Sequence, residues 1–395
     1  MKRTGNLFEK LYDMNNLLLA EKMAIKPNTN KKQLIYYKEH KEELLLKLQS
    51  DIKNKTLKLK GYKERKIYEH KWRTISVSPL YPDKIFQNAL LNVLKPVLLK
   101  DFISKIYSCI KGRGVLKAHK DLCKYLKNKE KTKYCLSIDI VKFYPNINNE
   151  LLKTKLRRKI KDESFLQVLD YYIDLSNGVV LGDSPSAYLA NYFLSDFDHY
   201  IKEVLKIKYY LRYCDNIIIL GDNKEYLRKL LLFIIKYLRE NYKLDIKNNY
   251  QIFPVNNRGI DFVGYRFFHT HIKIRKGIKI KFKRLLFRFY NHKISYSKFY
   301  KRIQAYLGWL KYCNSKHLFK CIEDKYNIHF SNFKGTKILI RYLKNLKIKV
   351  LDIIEYSKYY KICFIFNSKS YYICTPNKNL INYITQIKTP CYLYC

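Results

Sequence analysis

A chain of 395 residues is long enough for two or three domains, and 47% hydrophobic, 15% aromatic and 28% charged residues suit a folded chain rather than a disordered or membrane-embedded one. Its 79 Lys and Arg against 33 Asp and Glu leave a formal net charge of +46, a self-repulsion that needs polyanions as partners. No apolar run approaches the roughly 18 residues of a spanning helix and the start lacks a signal peptide, which disfavours a membrane and points to nucleic acid in the cytoplasm. Ten scattered cysteines include no Cys-x-x-Cys pair, so zinc ribbons and disulfide scaffolds are disfavoured and a reducing compartment fits best.

Residues 5–60 carry helical spacing, with Leu7, Leu11, Leu17 to Leu19 and Leu44 to Leu48 among charges. Ile67 to Ser78 reads as strand-like text ending at Pro79 and Pro82. Ile85 to Phe102 reads as a buried helix, Tyr134 to Ile140 as a short strand, Ile207 to Leu220 as two β-rich runs and Phe262 to Phe268 as another strand. Strands separated by helices predict an α+β sheet domain. Beyond Asp261 the text changes: 262–322 hold no carboxylate, while Lys273 to Lys320 carry 15 Lys and Arg interleaved with aromatics. A solvated helix face normally mixes both signs, so these helices are expected to contact phosphates. The last stretch, 335–395, has 10 Lys and Arg against 2 acids; its runs Ile348 to Ile354 and Tyr360 to Cys374, with a turn at Asn367 to Ser370, predict strands followed by a short helix near Leu380.

Two segments carry chemistry. Asp139 lies inside the apolar run Tyr134-Cys-Leu-Ser-Ile-Asp139-Ile-Val-Lys-Phe-Tyr144, where a charge costs free energy unless a cation or hydrogen-bond donors compensate it. A buried Asp that caps a neighbouring turn would do the same. The second segment, Tyr209-Tyr-Leu-Arg-Tyr213-Cys-Asp215-Asn216-Ile-Ile-Ile-Leu220, is a hairpin pattern with a carboxylate at its tip. If the hairpin pairs beside the Asp139 strand, the two acids converge and can hold two Mg²⁺ ions about 4 Å apart.

With these residues the chain resembles the reverse transcriptases, over about residues 60 to 320. Asp139-x-x-x-Phe-Tyr144 and Tyr213-Cys-Asp215-Asn216 look like motifs A and C. Lys71-Trp72-Arg73 resembles the fingers strand that touches the nucleotide triphosphate, and Ser108 to Ala118, with Lys111 and Arg113, the Gly-rich segment before motif A. Leu181-Gly182-Asp-Ser-Pro-Ser186 resembles the Gly-x-x-x-Ser motif, and Asp261-Phe-Val-Gly264-Tyr265-Arg266 the primer-grip hairpin. Tyr306-Leu-Gly308-Trp309-Leu-Lys311-Tyr-Cys-Asn314 is similar to the thumb helix of the diversity-generating retroelement and group II intron branches. The resemblance implies a right-hand polymerase fold: an N-terminal helical region (1–60), fingers and palm with an antiparallel sheet (61–270), a basic helical thumb (271–334) and a small β-rich appendage (335–395). It implies RNA-templated DNA synthesis from dNTPs on a DNA or RNA primer, in a retroelement or antiviral defence system, with a structured noncoding RNA or a small accessory protein as a further partner.

The same resemblance assigns catalysis to Asp139, Asp215 and Asn216, and metal binding, two Mg²⁺ with Mn²⁺ as a substitute, to Asp139, Asp215 and Ile140. Nucleotide binding falls to Lys71, Arg73, Tyr144, Gly182 and Lys247. Of these, Tyr144 is the steric gate against a ribose 2′-OH, and Lys247 the motif D lysine that protonates pyrophosphate. Nucleic-acid contacts fall to Lys111, Arg113, Gly264, Tyr265, Arg266, Lys283, Arg284, Arg288, Trp309 and Lys311. The chain departs from the pattern at Asn216, where relatives carry a second Asp, and at Leu181 and Ala187 around the Gly182 motif. Residues 335–395 hold only Asp352 and Glu355 as acids, too few for a ribonuclease H site. Two alternatives stand beside this reading: an untemplated or protein-primed defence polymerase, and a catalytically impaired relative kept for nucleic-acid binding.

Overall fold

The computed structural model describes residues 3–26, 31–68, 72–291, 293–326, 348–356, 359–366, 369–375 and 392–393. They fall into two units, Met1–Val263 with Phe267–Thr270, and Gly264–Arg266 with His271–Cys395. In the first unit, helices Phe8–Tyr12, Met14–Ile25, Lys31–Glu39 and Lys41–Lys53 open the chain. Met14–Ile25 buries Leu17, Ala20 and Ala24, and Lys41–Lys53 buries Leu45, Leu48 and Ile52, each at the three-to-four spacing of one helix face. The Asp13 carboxylate starts the second helix by accepting from the Asn15 and Asn16 amides. The expected Ile85 to Phe102 helix runs Ile85–Leu98; Met14–Ile25 and Ser184–Phe193 both pack on it. Contacts on more than one side explain why Ile85, Phe86, Ala89, Leu90, Leu94 and Leu98 are all buried.

The strand-like text before that helix is a hairpin: β1 (Lys63–Tyr68) pairs antiparallel with β2 (Trp72–Val77), from Lys63↔Val77 to Tyr68↔Trp72. β1 reads Lys-Glu-Arg-Lys-Ile-Tyr; without apolar alternation, nothing local marks it as a strand.

The central sheet consists of β3 (Tyr134–Asp139), β4 (Tyr210–Tyr213), β5 (Asn216–Gly221) and β6 (Gln251–Pro254), antiparallel in the order β4-β5-β3-β6. Cys135, Leu136 and Ile138 of β3 and Ile217, Ile218 and Ile219 of β5 are buried, consistent with central strands covered on both faces. Helix Lys224–Tyr242, capped by the Asn223 side chain, packs on β3 and β6. The register sets Tyr134 opposite Gly221 and Asp139 opposite Asn216, so β3 ends where the β4–β5 turn begins.

The single strand expected over 262–268 is instead two, β7 (Ile260–Phe262) and β8 (Tyr265–Phe267), separated by Val263 at φ +40° and Gly264 at φ +89°. Consecutive positive φ values turn the chain, which a β-rich run conceals.

The second unit continues through β9 (Ile272–Ile274) to helices Lys276–Tyr290, Tyr296–Leu310 and Lys316–Tyr326. These helices share their own core of Phe282, Leu286, Phe289, Phe299, Ile303, Leu310 and Ile322, with the Phe289 and Phe299 rings stacked 3.8 Å apart. Further on, β10 (Ile348–Tyr356), β11 (Tyr359–Phe366), β12 (Lys369–Thr375) and β13 (Tyr392–Leu393) form an antiparallel sheet in the order β12-β11-β10-β13. The helix expected near Leu380, and part of the turn at Asn367 to Ser370, lie outside the described residues. Among the described residues no helix is long and apolar enough to cross a membrane.

Candidate active site

The two acids singled out in the sequence meet. Asp139 ends β3 and Asp215 sits in the β4–β5 turn; the Ile140 amide donates to the Asp215 carbonyl at 3.2 Å, and the two carboxyl groups hydrogen-bond to each other. Burial, and then the Asp139 charge, push the Asp215 carboxyl well above the usual carboxylate range. Like charges so close need a shared proton or a cation. The Lys247 ammonium supplies part of it, with Nζ 2.5 Å from Asp139 Oδ1, while its backbone amide donates to the Asp139 carbonyl at 2.8 Å.

Asn216 lies directly opposite Asp139 in the ladder, and its Oδ1 is buried without a hydrogen-bond partner. A buried acceptor with no donor costs free energy. Two carboxylates, an orphaned amide oxygen and nearby main-chain oxygens are the hard donors that Mg²⁺ or Mn²⁺ prefers, so the residues present fit a divalent cation. Among the described residues no group of three or more His, Cys, Asp and Glu side chains gathers at one place.

A buried network behind the turn was not anticipated from the sequence. Arg212 on β4 and Asp198 are both fully buried and paired, Nε to Oδ1 at 2.7 Å and Nη2 to Oδ2 at 2.5 Å. Burial alone would lower the Arg212 pKa, but the Asp198 charge overrides it and holds the guanidinium firmly ionised. Its Nη1 donates to the Cys214 carbonyl at 3.0 Å and to Asn191 Oδ1 at 3.3 Å, and Asn191 donates on to the Ser108 carbonyl at 2.9 Å. Arg212 thus grips the backbone one residue before Asp215, where Cys214 holds φ +57°. The signal was present: an arginine between Leu211 and Tyr213 in an apolar strand must have a partner.

Tyr144 packs partly buried beside the same turn, hydrogen-bonded with the Cys214 thiol; burial raises the pKa of both, the thiol to about 12. The loop carrying Tyr144 is seated on Gly178, φ +72°, where an added Cβ would stand 2.5 Å from the Pro145 oxygen and 2.7 Å from that of Tyr144. Gly182, φ +108° and expected among the nucleotide-binding residues, has as its close neighbour here the Ser76 oxygen of β2, 2.6 Å from an added Cβ. The Ser76 amide in turn donates to the Leu181 carbonyl at 2.7 Å, so this motif holds the base of the β1–β2 ribbon.

The other expected residues are dispersed. Arg73 is exposed on β2, and Lys71 lies outside the described residues. Lys111 is exposed, whereas the Arg113 guanidinium is engaged with the Ile103 carbonyl at 2.5 Å. In the second unit Arg266, Lys283, Arg284, Arg288 and Lys311 are exposed. Two expectations there need correction. Tyr265 is buried with its hydroxyl donating to the Trp309 carbonyl at 2.9 Å, and the Trp309 ring covers Gly264, 2.4 Å from an added Cβ. Gly264 and Tyr265 therefore face protein, because the indole needs an apolar bed.

Protein YkfC of Escherichia coli strain K12 is 28% identical over 138 residues, 32% of this chain and 36% of that protein, so the chain spans little more than a third of that relative's length. Telomerase from Candida albicans, in complex with a fragment of telomeric RNA, aligns over 74% of this chain and 60% of that one, at 14% identity and a TM-score of 0.45. Apo telomerase from Candida tropicalis aligns over 56% and 49% (16%, 0.42), and a partial Cas6-RT-Cas1–Cas2 complex over 59% and 42% (17%, 0.31). The family model described as Reverse transcriptase (RNA-dependent DNA polymerase) matches residues 52–267, more than half of the sequence, and the chain belongs to that family.

Proposed function

We propose that the chain is an RNA-directed DNA polymerase that extends a DNA or RNA primer with dNTPs along an RNA template. The observation that carries this reading is the contact between Asp139 and Asp215, brought together from sites far apart in the sequence at the end of β3. These two carboxylates, with the Asn216 amide oxygen and the main chain at Ile140, would hold two Mg²⁺ ions or Mn²⁺. When bound, such ions neutralise charge at the attacking 3′-oxygen and at the departing pyrophosphate.

The remaining roles belong to the protein's own groups. Arg73 and Lys71 would bind the triphosphate by charge-assisted hydrogen bonds. The Tyr144 ring, hydrogen-bonded with Cys214 and carried on a backbone seated against Gly178, would close the space a ribose 2′-OH needs. Lys247 Nζ lies beside Asp139, from where it would donate to a pyrophosphate oxygen. Exposed Arg266, Lys283, Arg284, Arg288 and Lys311 would neutralise backbone phosphates. We place the protein in a reducing compartment such as the cytoplasm, which agrees with free thiols at Cys109, Cys123, Cys135, Cys214, Cys313 and Cys321, and in a retroelement or phage-defence system.

Asn216 favours one second reading, a catalytically impaired nucleic-acid-binding relative. Primer extension on an RNA template with purified protein tests both. The expected result is dNTP incorporation in Mg²⁺ or Mn²⁺, abolished by Asp139→Ala with template-primer binding retained. No incorporation in either metal, alongside tight RNA binding, would sink the polymerase.

A further inference from the structure

Helix Val115–Leu126 presents a surface to which the proposed chemistry gives no task. It buries Ala118, Asp121, Leu122 and Leu126 and exposes Leu116, Lys117, Lys120 and Lys124, with Lys127 exposed at its C-cap. The exposed positions recur every three or four residues and so line one face. The helix has one acid, Asp121, and it points inward, accepting from Lys105 Nζ at 3.0 Å, Lys117 Nζ at 2.9 Å and the Tyr107 hydroxyl at 2.7 Å. Among the described residues no ion pair engages Lys120, Lys124 or Lys127. Other helices of this unit pair their surface cations, Arg228 with Glu225 at 3.0 Å on Lys224–Tyr242 and Lys153 with Glu150 at 2.8 Å on Asn149–Arg157. Like charges four residues apart destabilise a helix, so an all-lysine face calls for an anion from outside.

Just past the helix the chain enters the wall of a recess of 340 Å³, lined by Lys129, Lys133, Asn256, Asn257 and His269, with Glu130 as its one acid. That is the small end of the roughly 300–1,000 Å³ range of ligand pockets, room for a base and not for a duplex. The His269 ring is held from both sides, Nδ1 2.8 Å from Asn256 Oδ1 and Nε2 3.1 Å from the Thr132 carbonyl. Donors and acceptors side by side suit the edge of an unpaired base, whereas Glu130 would repel a bare anion. Tyr134 also lines the recess and starts β3, which ends at Asp139. At about 3.4 Å per residue the start of that strand lies roughly 17 Å from Asp139, so the recess and the paired acids stand at opposite ends of β3.

We infer that this helix face and the recess form a second nucleic-acid site, which holds a single-stranded RNA segment apart from the template-primer. Lys120, Lys124 and Lys127 meet its phosphates and the recess takes one unpaired base. The site does not depend on the polymerase reading. A duplex would offer phosphates but keep its bases paired and out of the recess. A protein partner would need an apolar centre, which this face lacks beyond Leu116, 45% exposed.

The test takes the full-length protein, preloaded with saturating template-primer, and follows the fluorescence anisotropy of a short labelled unstructured RNA. The combined variant Lys120→Gln, Lys124→Gln, Lys127→Gln should bind that RNA about ten-fold more weakly and lower the slope of log affinity against log salt by about 2, at roughly 0.7 per phosphate contact. Its melting temperature should hold or rise, since like charges are removed, and its template-primer affinity and primer-extension rate should stay those of the parent. The parent should prefer the single strand to a duplex of equal length, and Asn257→Ala should reduce that preference without changing the slope. An unchanged slope in the combined variant, or an equal loss of template-primer affinity, would overturn the second site; equal affinity of the parent for single strand and duplex would overturn the recess. A parent that binds RNA in this way but extends no primer would defeat the polymerase reading and leave the second site standing.

Discussion

Asp215 occupies a position where its charge is opposed by burial and by Asp139, and the neighbouring residues keep it there. The Arg212 guanidinium, held by Asp198, fixes the carbonyl just before it. Arg212→Ala leaves Asp198 buried and unpaired and should cost about 3 to 5 kcal/mol, read as a large fall in melting temperature. Asn216→Asp restores a charge where an unpartnered amide oxygen now lies, and should preserve or raise the extension rate in Mg²⁺; a large loss would contradict the site as described. Tyr144→Ala should raise ribonucleotide incorporation relative to dNTPs, measured as the ratio of kcat/KM values. At this scale the sequence was legible where a residue type is improbable in its surroundings: an Asp in an apolar strand, a carboxylate at a hairpin tip. It was not legible where the reason is a distant neighbour. Gly182 meets Ser76, and Gly264 meets Trp309, through contacts that no local pattern encodes.

Among the elements, the β1–β2 ribbon depends on two buried acids at its base. Asp183, starting helix Ser184–Phe193, accepts at Oδ2 from the Tyr62 and Tyr172 hydroxyls. Burial raises its pKa to about 6, against the lowering effect of those hydrogen bonds. A raised folded-state pKa means stability that is fully present below the unfolded value of about 4 and lost as pH rises through about 6. Asp183→Asn removes that titration, so its melting temperature should gain on the parent between pH 4 and pH 7 and hold the gain above; a constant difference across the range would refute the assignment. β3 and β5 were readable because central strands are continuous apolar runs, whereas the short edge strand β6 was not read. The charged β1, and the turn at Val263 and Gly264 inside a β-rich run, were not, because pairing and φ rather than hydropathy define them.

For the molecule as a whole, composition already anticipated the dominant property. A net charge of +46 is hard to reconcile with a chain that works without a polyanion. The carboxylate-free stretch 262–322 proves to include helices with Lys283, Arg284 and Arg288 on the exposed side and Phe282, Phe289 and Phe299 inside. The basic tail 335–395 extends the same charge. Its deletion should weaken template-primer binding and flatten the slope of log affinity against log salt, whereas an unchanged salt series would show that it contributes nothing to binding.

The ribbon has one more consequence. Lys63, Arg65, Lys66 and Arg73 stand exposed on a two-stranded projection, and exposed basic positions are where trypsin cuts first. The fragments on either side of a nick at Arg65 or Lys66 remain held by the Lys60–Asp83, Gly61–Asp83 and Tyr62–Asp183 contacts. A brief digest should therefore yield two bands on a denaturing gel but a single peak on size exclusion.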